Sequence, residues 1–339
     1  MQSLDLKVLS DALDWHRAGH AVTLFTVVQT WGSAPRPPGA LLALRDDGVL
    51  SGSVSGGCVE DDLIARVKAG DGGGTAPEKP ALITYGVSKE EATRFGLPCG
   101  GTLRLLQEPL LDAAWVAQLL ARTAAHELVA RTVTLTTGAV LLTSAQPGQG
   151  LRFDGATLCT VFGPQWRLLL IGAGQLSQAV AQIAVMLDFE VLVCDPREEY
   201  AATLVTGLPG MRRIDGMPDD VVREMVPDAH TAIVALTHDP KLDDMALIEA
   251  LQSAAFYVGA LGSKRNQDAR KQRLAEHFDL SAEALARLHG PVGLALGAKT
   301  PAEIAVAIVA ELIAVRRGSE ANLSRKRLAG QKAETPESA

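Results

Sequence analysis

The stretch Leu168-Leu169-Leu170-Ile171-Gly172-Ala173-Gly174-Gln175-Leu176-Ser177 is an apolar run that stops at two spaced glycines and resumes with a helical pattern. It reads as a strand turning into a helix. Gly172 permits the tight turn, and Gly174 lets the backbone approach a pyrophosphate held at the helix N-terminus. Asp195 closes the next apolar run, where an acid accepts hydrogen bonds from ribose hydroxyls. The third fingerprint position holds Ser177 rather than glycine. A nucleotide-type domain that no longer binds a dinucleotide accounts for the same residues equally well, because fold does not fix ligand.

Outward from this stretch, strand and helix patterns alternate. Strands are expected at 167–171, 190–194, 211–214, 231–236 and 256–258. Helices are expected at 175–187, 219–225, 241–252, 265–277, 282–288 and 301–316. The alternation implies an α/β fold with a doubly wound parallel sheet. The last helix is marked by Thr300 as N-cap, Pro301 at its first position and Glu303 completing a capping box. The N-terminal half reads as a mixed α/β domain. Helices are expected at 4–18, at 112–126 and around Leu63, Ile64 and Val67, and strands at 21–28, 41–44, 49–54, 81–85, 103–106 and within 129–143. The organisation expected is therefore an N-terminal domain over 1–145, a linker over 146–165, a Rossmann-like domain over 166–317 and a disordered tail over 318–339.

Length agrees, since 339 residues at roughly 150 per domain make two domains. The formal charge of −7 argues against a general nucleic-acid or anionic-membrane binder. Glu311 interrupts the most apolar late stretch, 304–315, which is shorter than the ~20 residues a membrane span needs. The first residues lack the basic start and apolar block of a secretory signal. A cytoplasmic protein is expected. Cys58, Cys99, Cys159 and Cys194 form no CxxC pair, which argues against structural zinc.

Two cysteines sit in glycine-rich surroundings. In Ser51-Gly-Ser-Val-Ser55-Gly56-Gly57-Cys58-Val-Glu60 the small residues free backbone N–H groups for an anion-binding concavity. Cys58 opens a helix, whose N-terminal end favours a thiolate, the form that attacks sulfur or binds a soft metal. Glu60, Asp61 and Asp62 oppose this by like-charge repulsion. Cys99 lies in Phe95-Gly-Leu-Pro-Cys99-Gly-Gly101, a turn where exposure is expected. Two such thiols suggest a shared soft-ligand, sulfur-transfer or redox site. At the carboxyl edge of the second sheet, Thr237-His238-Asp239 and Gly262-Ser263-Lys264-Arg265 follow strands. His238 reads as a general base or as a capping residue beside Asp239, and Lys264 as part of an anion cradle.

Taken together these stretches resemble the XdhC/CoxI family, the xanthine dehydrogenase accessory factors of molybdenum-cofactor maturation. The matching segments are Gly32-Ser-Ala-Pro-Arg36, Gly52 to Glu60, Gly96-Leu-Pro-Cys99-Gly-Gly101, Ile171-Gly-Ala-Gly174, Asp195-Pro-Arg197, Thr237-His-Asp239, Tyr257 to Lys264 and Ala298 to Ile304. The resemblance implies an XdhC-type N-terminal domain and an accessory factor rather than a turnover enzyme. Such a factor is a chaperone that binds the molybdenum cofactor (molybdopterin form) as cargo and protects it. It supports sulfuration with a cysteine desulfurase and delivers the cofactor into a xanthine dehydrogenase-type molybdenum hydroxylase. The family's cysteines map onto Cys58, read as a molybdenum or sulfur contact, and Cys99. Ser55, Gly56 and Gly57 then surround the cargo, the pterin phosphate occupies the Gly172–Gly174 turn, and Asp195, His238 and Lys264 line the second site. Ala295 stands where an acid is common in the family, so no role of that acid carries over. A homodimer would cover both cysteine loops. The alternative is an NAD(P)-dependent oxidoreductase that uses Gly172, Gly174 and Asp195 for the cofactor and His238 as acid/base.

Overall fold

Large apolar residues at both odd and even positions force each central strand to be covered on two sides. The computed structural model describes residues 2–31, 36–57, 59–69, 79–86, 102–146, 149–201 and 209–318. Cys58, Cys99 and the tail beyond Gly318 lie outside them. The chain divides into two units, Met1–Gln165 and Trp166–Ala339.

In the first unit the elements run α1 (Gln2–Arg17), β1 (Val22–Trp31), β2 (Leu41–Arg45), β3 (Leu50–Gly52), α2 (Glu60–Ala69), β4 (Ala81–Tyr85), β5 (Thr102–Pro109) and α3 (Ala114–Ala124). They continue as β6 (Val129–Thr134), β7 (Val140–Ser144), β8 (Arg152–Phe153) and β9 (Thr157–Phe162). Among the described residues, β3-β2-β1-β5-β4 form one antiparallel sheet and β7-β6-β9-β8 another. Leu24 of β1 packs with Val8, Leu9 and Leu13 of α1 and Val116 and Leu119 of α3. Its neighbour Phe25 faces the other way, toward Val59 and Leu63 at the α2 side. Period two thus places helices on opposite faces of one sheet.

The stretch expected as a linker is a correction. Residues 152–153 and 157–162 are strands paired with each other, and β9 pairs with β6 through Val129↔Phe162 to Thr134↔Thr157. Leu158, Thr160 and Phe162 are buried beneath that sheet, so burial by a distant strand overrides the weak local signal.

The second unit runs β10 (Arg167–Ile171), α4 (Gln175–Met186), β11 (Glu190–Cys194), α5 (Glu198–Ala201), β12 (Met211–Ile214), α6 (Pro218–Met225) and β13 (Thr231–Ala235). Then come α7 (Pro240–Gln252), β14 (Tyr257–Ala260), α8 (Lys264–Phe278), α9 (Ala282–Ala286), β15 (Leu288–His289) and α10 (Pro301–Arg316). The sheet order is β12-β11-β10-β13-β14-β15, all parallel. Leu168 and Leu170 pack against Val180, Ala184, Ile308 and Leu312 of α4 and α10. Leu169 and Ile171 pack against Val222, Leu247, Leu251 and Leu274 on the opposite face. This is the doubly wound Rossmann-like arrangement, and the order reverses at β10, the position where such sheets bind ligands. Thr300 and Glu303 make the expected capping box. No helix among the described residues is long and apolar enough to cross a membrane.

Candidate functional site

The glycine-rich loop of the first unit is folded around its own carboxylate. Glu60, the first residue of α2, is buried and turns back toward the loop. Its Oε1 accepts from the Ser53 hydroxyl (2.7 Å), Val54 N–H (2.9 Å) and Ser55 N–H (3.0 Å). Its Oε2 accepts from the Ser55 hydroxyl, Gly57 N–H (3.0 Å) and Val59 N–H (3.2 Å). Gly56 N–H is taken by Ser53 Oγ at 2.9 Å, and Arg36 Nε pins the loop through the Ser53 carbonyl at 3.1 Å. Gly56 and Gly57, at φ 83° and 121°, adopt the left-handed turn that a side chain would strain. Burial pushes the Glu60 carboxyl up, but the Ser55 and Ser53 hydroxyls and the loop amides outweigh it and hold it at about 2.

The expected concavity therefore exists and is full. Ser55, Gly56 and Gly57 have no spare amide for an external anion, so the expected anion-binding concavity is occupied by the chain itself. What the loop provides is a rigid frame on both sides of position 58. In sequence Glu60 looks like an ordinary first-turn acid, although its spacing after Ser53 and Ser55 carries the signal.

At the carboxyl edge of the second sheet the structure gathers Gly172, Gly174, Asp195, His238 and Lys264. Gly172 has φ +109°, and a Cβ there would meet Thr237 Cγ2 at 3.1 Å and the Leu236 carbonyl carbon at 3.2 Å. Above Gly174 there is open space. Gly174 caps α4 without any side-chain hydrogen bond, so the first turn of the helix keeps its N–H groups for a ligand. Thr237 is held by Asp243, which accepts from its hydroxyl at 2.7 Å and in turn binds Arg270 at 3.1 Å. His238 is exposed in a left-handed conformation, φ 63°, which histidine adopts more readily than most side chains. Asp239, not His238, caps the following helix, through Lys241 N–H at 2.9 Å. Lys264 is exposed in the first turn of α8, where Ser263 is the N-cap.

Asp195 does not present a free carboxylate. Its Oδ1 accepts from the Arg197 N–H (3.1 Å) and Nε (2.8 Å), and its Oδ2 from the Ala173 N–H (2.9 Å) and Arg197 Nη2 (2.8 Å). All four acceptor positions of a carboxylate are taken. Burial works against the charge, but Arg197 and Ala173 N–H outweigh it and hold Asp195 below the usual carboxylate range. A ribose diol finds no acceptor there. In its place stands the Arg197 guanidinium, itself 4.0 Å from the Tyr200 ring centroid. Arg197 has no evident role in the sequence beyond its place in a motif, although an arginine two residues after a strand-end acid is the pattern that makes this clamp. Cys194, beneath Asp195, is buried, and burial pushes its thiol up to about 12. Among the described residues no group of three His, Cys, Asp or Glu side chains is placed to hold a metal.

Comparison with known proteins places both elements in one lineage. Residues 15–86 match the XdhC and CoxI family, and residues 168–312 match the XdhC Rossmann domain. The chain belongs to the XdhC/CoxI family. The first match includes the Glu60-filled loop, and the second includes the glycine turn, Arg197, His238 and Lys264. This XdhC-type chain is 27% identical over 322 residues to the molybdenum cofactor insertion chaperone PaoD of Escherichia coli K12, covering 92% of this chain and 89% of that one. It is 27% identical over 320 residues to a probable xanthine dehydrogenase subunit of Bacillus subtilis 168, covering 87% and 93%. A Bacillus halodurans protein solved as a xanthine dehydrogenase shares the fold, with a TM-score of 0.74 at 24% identity over 94% of this chain and 96% of that one.

Proposed function

We propose that this XdhC-type protein is a molybdenum-cofactor insertion factor. It binds the molybdopterin form of the cofactor as cargo, shields it, supports its sulfuration by a cysteine desulfurase and passes it to a xanthine dehydrogenase-type hydroxylase. The observation that carries this reading is the likeness to the PaoD chaperone, which extends over 92% of the chain and so includes both units. In the first unit the Glu60-locked loop frames Cys58, the thiolate proposed to contact molybdenum or the transferred sulfur. A loop whose amides are already satisfied needs no reordering when cargo arrives, which lowers the entropic cost of binding. In the second unit the uncapped first turn of α4 suits the cofactor's terminal phosphate, and Arg197, although its charge is balanced by Asp195 through Nε and Nη2, has Nη1 left as a donor to it. The nicotinamide-enzyme reading loses its ribose acceptor, since Asp195 is saturated by Arg197.

Anaerobic titration of the full chain with molybdenum cofactor, beside Cys58→Ala and Cys99→Ala, tests the proposal. The expected result is saturable binding that Cys58→Ala weakens, together with activation of a cofactor-free hydroxylase by the loaded wild type. A wild type that binds no cofactor and activates nothing would end the proposal.

A further inference from the structure

The first unit holds a cavity of about 300 Å³ that involves neither the Ser53–Glu60 loop nor Cys58. Leu110, Trp115, Ala139 and Val140 line it together with Asp112, Thr137 and the ion pair of Glu108 and Arg131. Arg131 Nη2 lies 2.5 Å from Glu108 Oε1 and Nη1 lies 3.3 Å from Oε2. The two side chains are only 4% and 6% exposed, and the guanidinium stacks 4.2 Å from the Trp115 ring centroid.

An ion pair at this depth is poor evidence of a stabilising device, since an apolar pair of similar volume does as well or better. It also has hydrogen-bonding capacity left over. A guanidinium has five N–H groups and a carboxylate about four acceptor positions, and the pair uses two of each on itself. Arg131 Nε is a buried donor with no acceptor among the described residues and is sealed from the cavity, so the pair can meet a ligand only through the Nη hydrogens and carboxylate positions it does not use on itself. Glu108 neutralises Arg131, and the other charged lining residue, Asp112, is exposed and accepts from Ala114 N–H, so the buried part of the cavity suits neither a simple anion nor a simple cation. An acceptor and a donor side by side, next to Trp115 and Val140, match a neutral, flat ring with an adjacent N–H and C=O.

We propose that this cavity binds a bicyclic lactam heterocycle, its ring N–H donating to Glu108, its carbonyl accepting from Arg131 and its plane lying against Trp115 and Val140. The volume is at the small end for ligand pockets and fits one fused ring system rather than a nucleotide. Two sources present that edge, the pterin of the cofactor and a free purinone such as hypoxanthine. The pterin source rests on the cargo reading above, whereas the purinone source does not.

The test is a fluorescence and calorimetric titration of the full chain with 6-hydroxymethylpterin and, separately, with hypoxanthine. Glu108→Gln removes the charged acceptor. Ala139→Trp fills the cavity from an exposed wall position and leaves the ion pair intact, which keeps the test valid if Glu108→Gln does not fold. The expected result is saturable binding to the wild type, weakened about tenfold or more by Glu108→Gln, the scale of a lost hydrogen bond to a charged group, and abolished by Ala139→Trp. Tighter binding of the pterin assigns the cavity to the cofactor, and tighter binding of hypoxanthine assigns it to a purine. Binding of neither heterocycle to the wild type, or equal binding by wild type and Ala139→Trp, overturns the site. Intact cofactor, titrated against the same proteins, separates the two proposals. Cofactor bound with neither heterocycle bound removes the cavity alone, and hypoxanthine bound with no cofactor bound removes the cargo reading alone.

Discussion

The loop before α2 and the turn before α4 have the same sequence character, small residues and glycines running into a helix, yet they end in opposite states. Before α2 the converging N–H groups close on Glu60. Before α4 the helix opens on Gln175-Leu176-Ser177 with no acid and no side-chain cap. A glycine-rich approach therefore establishes that amides converge, while the first residues of the helix decide whether the chain or a ligand supplies the anion. In the first unit the anion is internal and the loop is a scaffold. In the second it is left to come from outside.

Glu60→Ala should break this contrast most strongly, by emptying the first nest. Three backbone N–H groups and two hydroxyls would lose their acceptor, while Val59 N–H would keep Ser55 Oγ at 2.8 Å. Leaving such buried donors unsatisfied costs about 3 kcal/mol or more, read as a lower denaturant midpoint. Millimolar phosphate should restore part of that loss in Glu60→Ala and none in the wild type. The same loop has an acid limit. Glu60 is held at about 2 against an ordinary glutamate value of about 4.3, so its contribution is complete above pH ~4.3. It fades as pH falls toward 2, by on the order of 2–3 kcal/mol, and Glu60→Gln should flatten that part of the stability–pH curve.

A smaller effect separates the two glycines of the second turn. Gly172→Ala combines φ +109° with contacts of 3.1–3.2 Å to Thr237 and the Leu236 carbonyl carbon just after β13 and should cost about 1–3 kcal/mol in thermal stability. Gly174→Ala, at φ −75° with nothing within 4 Å, should change stability by less than about 0.5 kcal/mol. Equal losses at the two positions would contradict the geometry described for the turn.

Much of this architecture is legible in sequence, and the illegible parts share a cause. Leu168 to Ile171, both faces apolar, announces a buried parallel strand, and Thr300-Pro301 with Glu303 announces a helix start, because those signals are local. Thr157–Phe162 alternates over only six residues between Gly155 and Gly163-Pro164, so it reads as loop until β6 supplies its partner. Glu60 looks like a first-turn acid until the loop curls over it. Asp195 carries the expected address but not the expected role, since Arg197 covers it. Glu108 and Arg131 stand 23 residues apart on strands of different sheets, a distance at which no sequence pattern links them.

The contrast between the two glycine-rich approaches comes down to one proposed division of labour. The Glu60-filled loop has no amide left for the phosphate of the cargo, whereas the open turn before α4 and Arg197 would take it. The most direct measurement is an anaerobic titration of wild type and Arg197→Ala with molybdenum cofactor before and after phosphatase treatment. Dephosphorylation is expected to weaken binding to the wild type about tenfold, the scale of one charge-assisted contact, and to leave binding to Arg197→Ala unchanged. A wild type indifferent to the phosphate, or an Arg197→Ala variant that keeps the full preference, would contradict it.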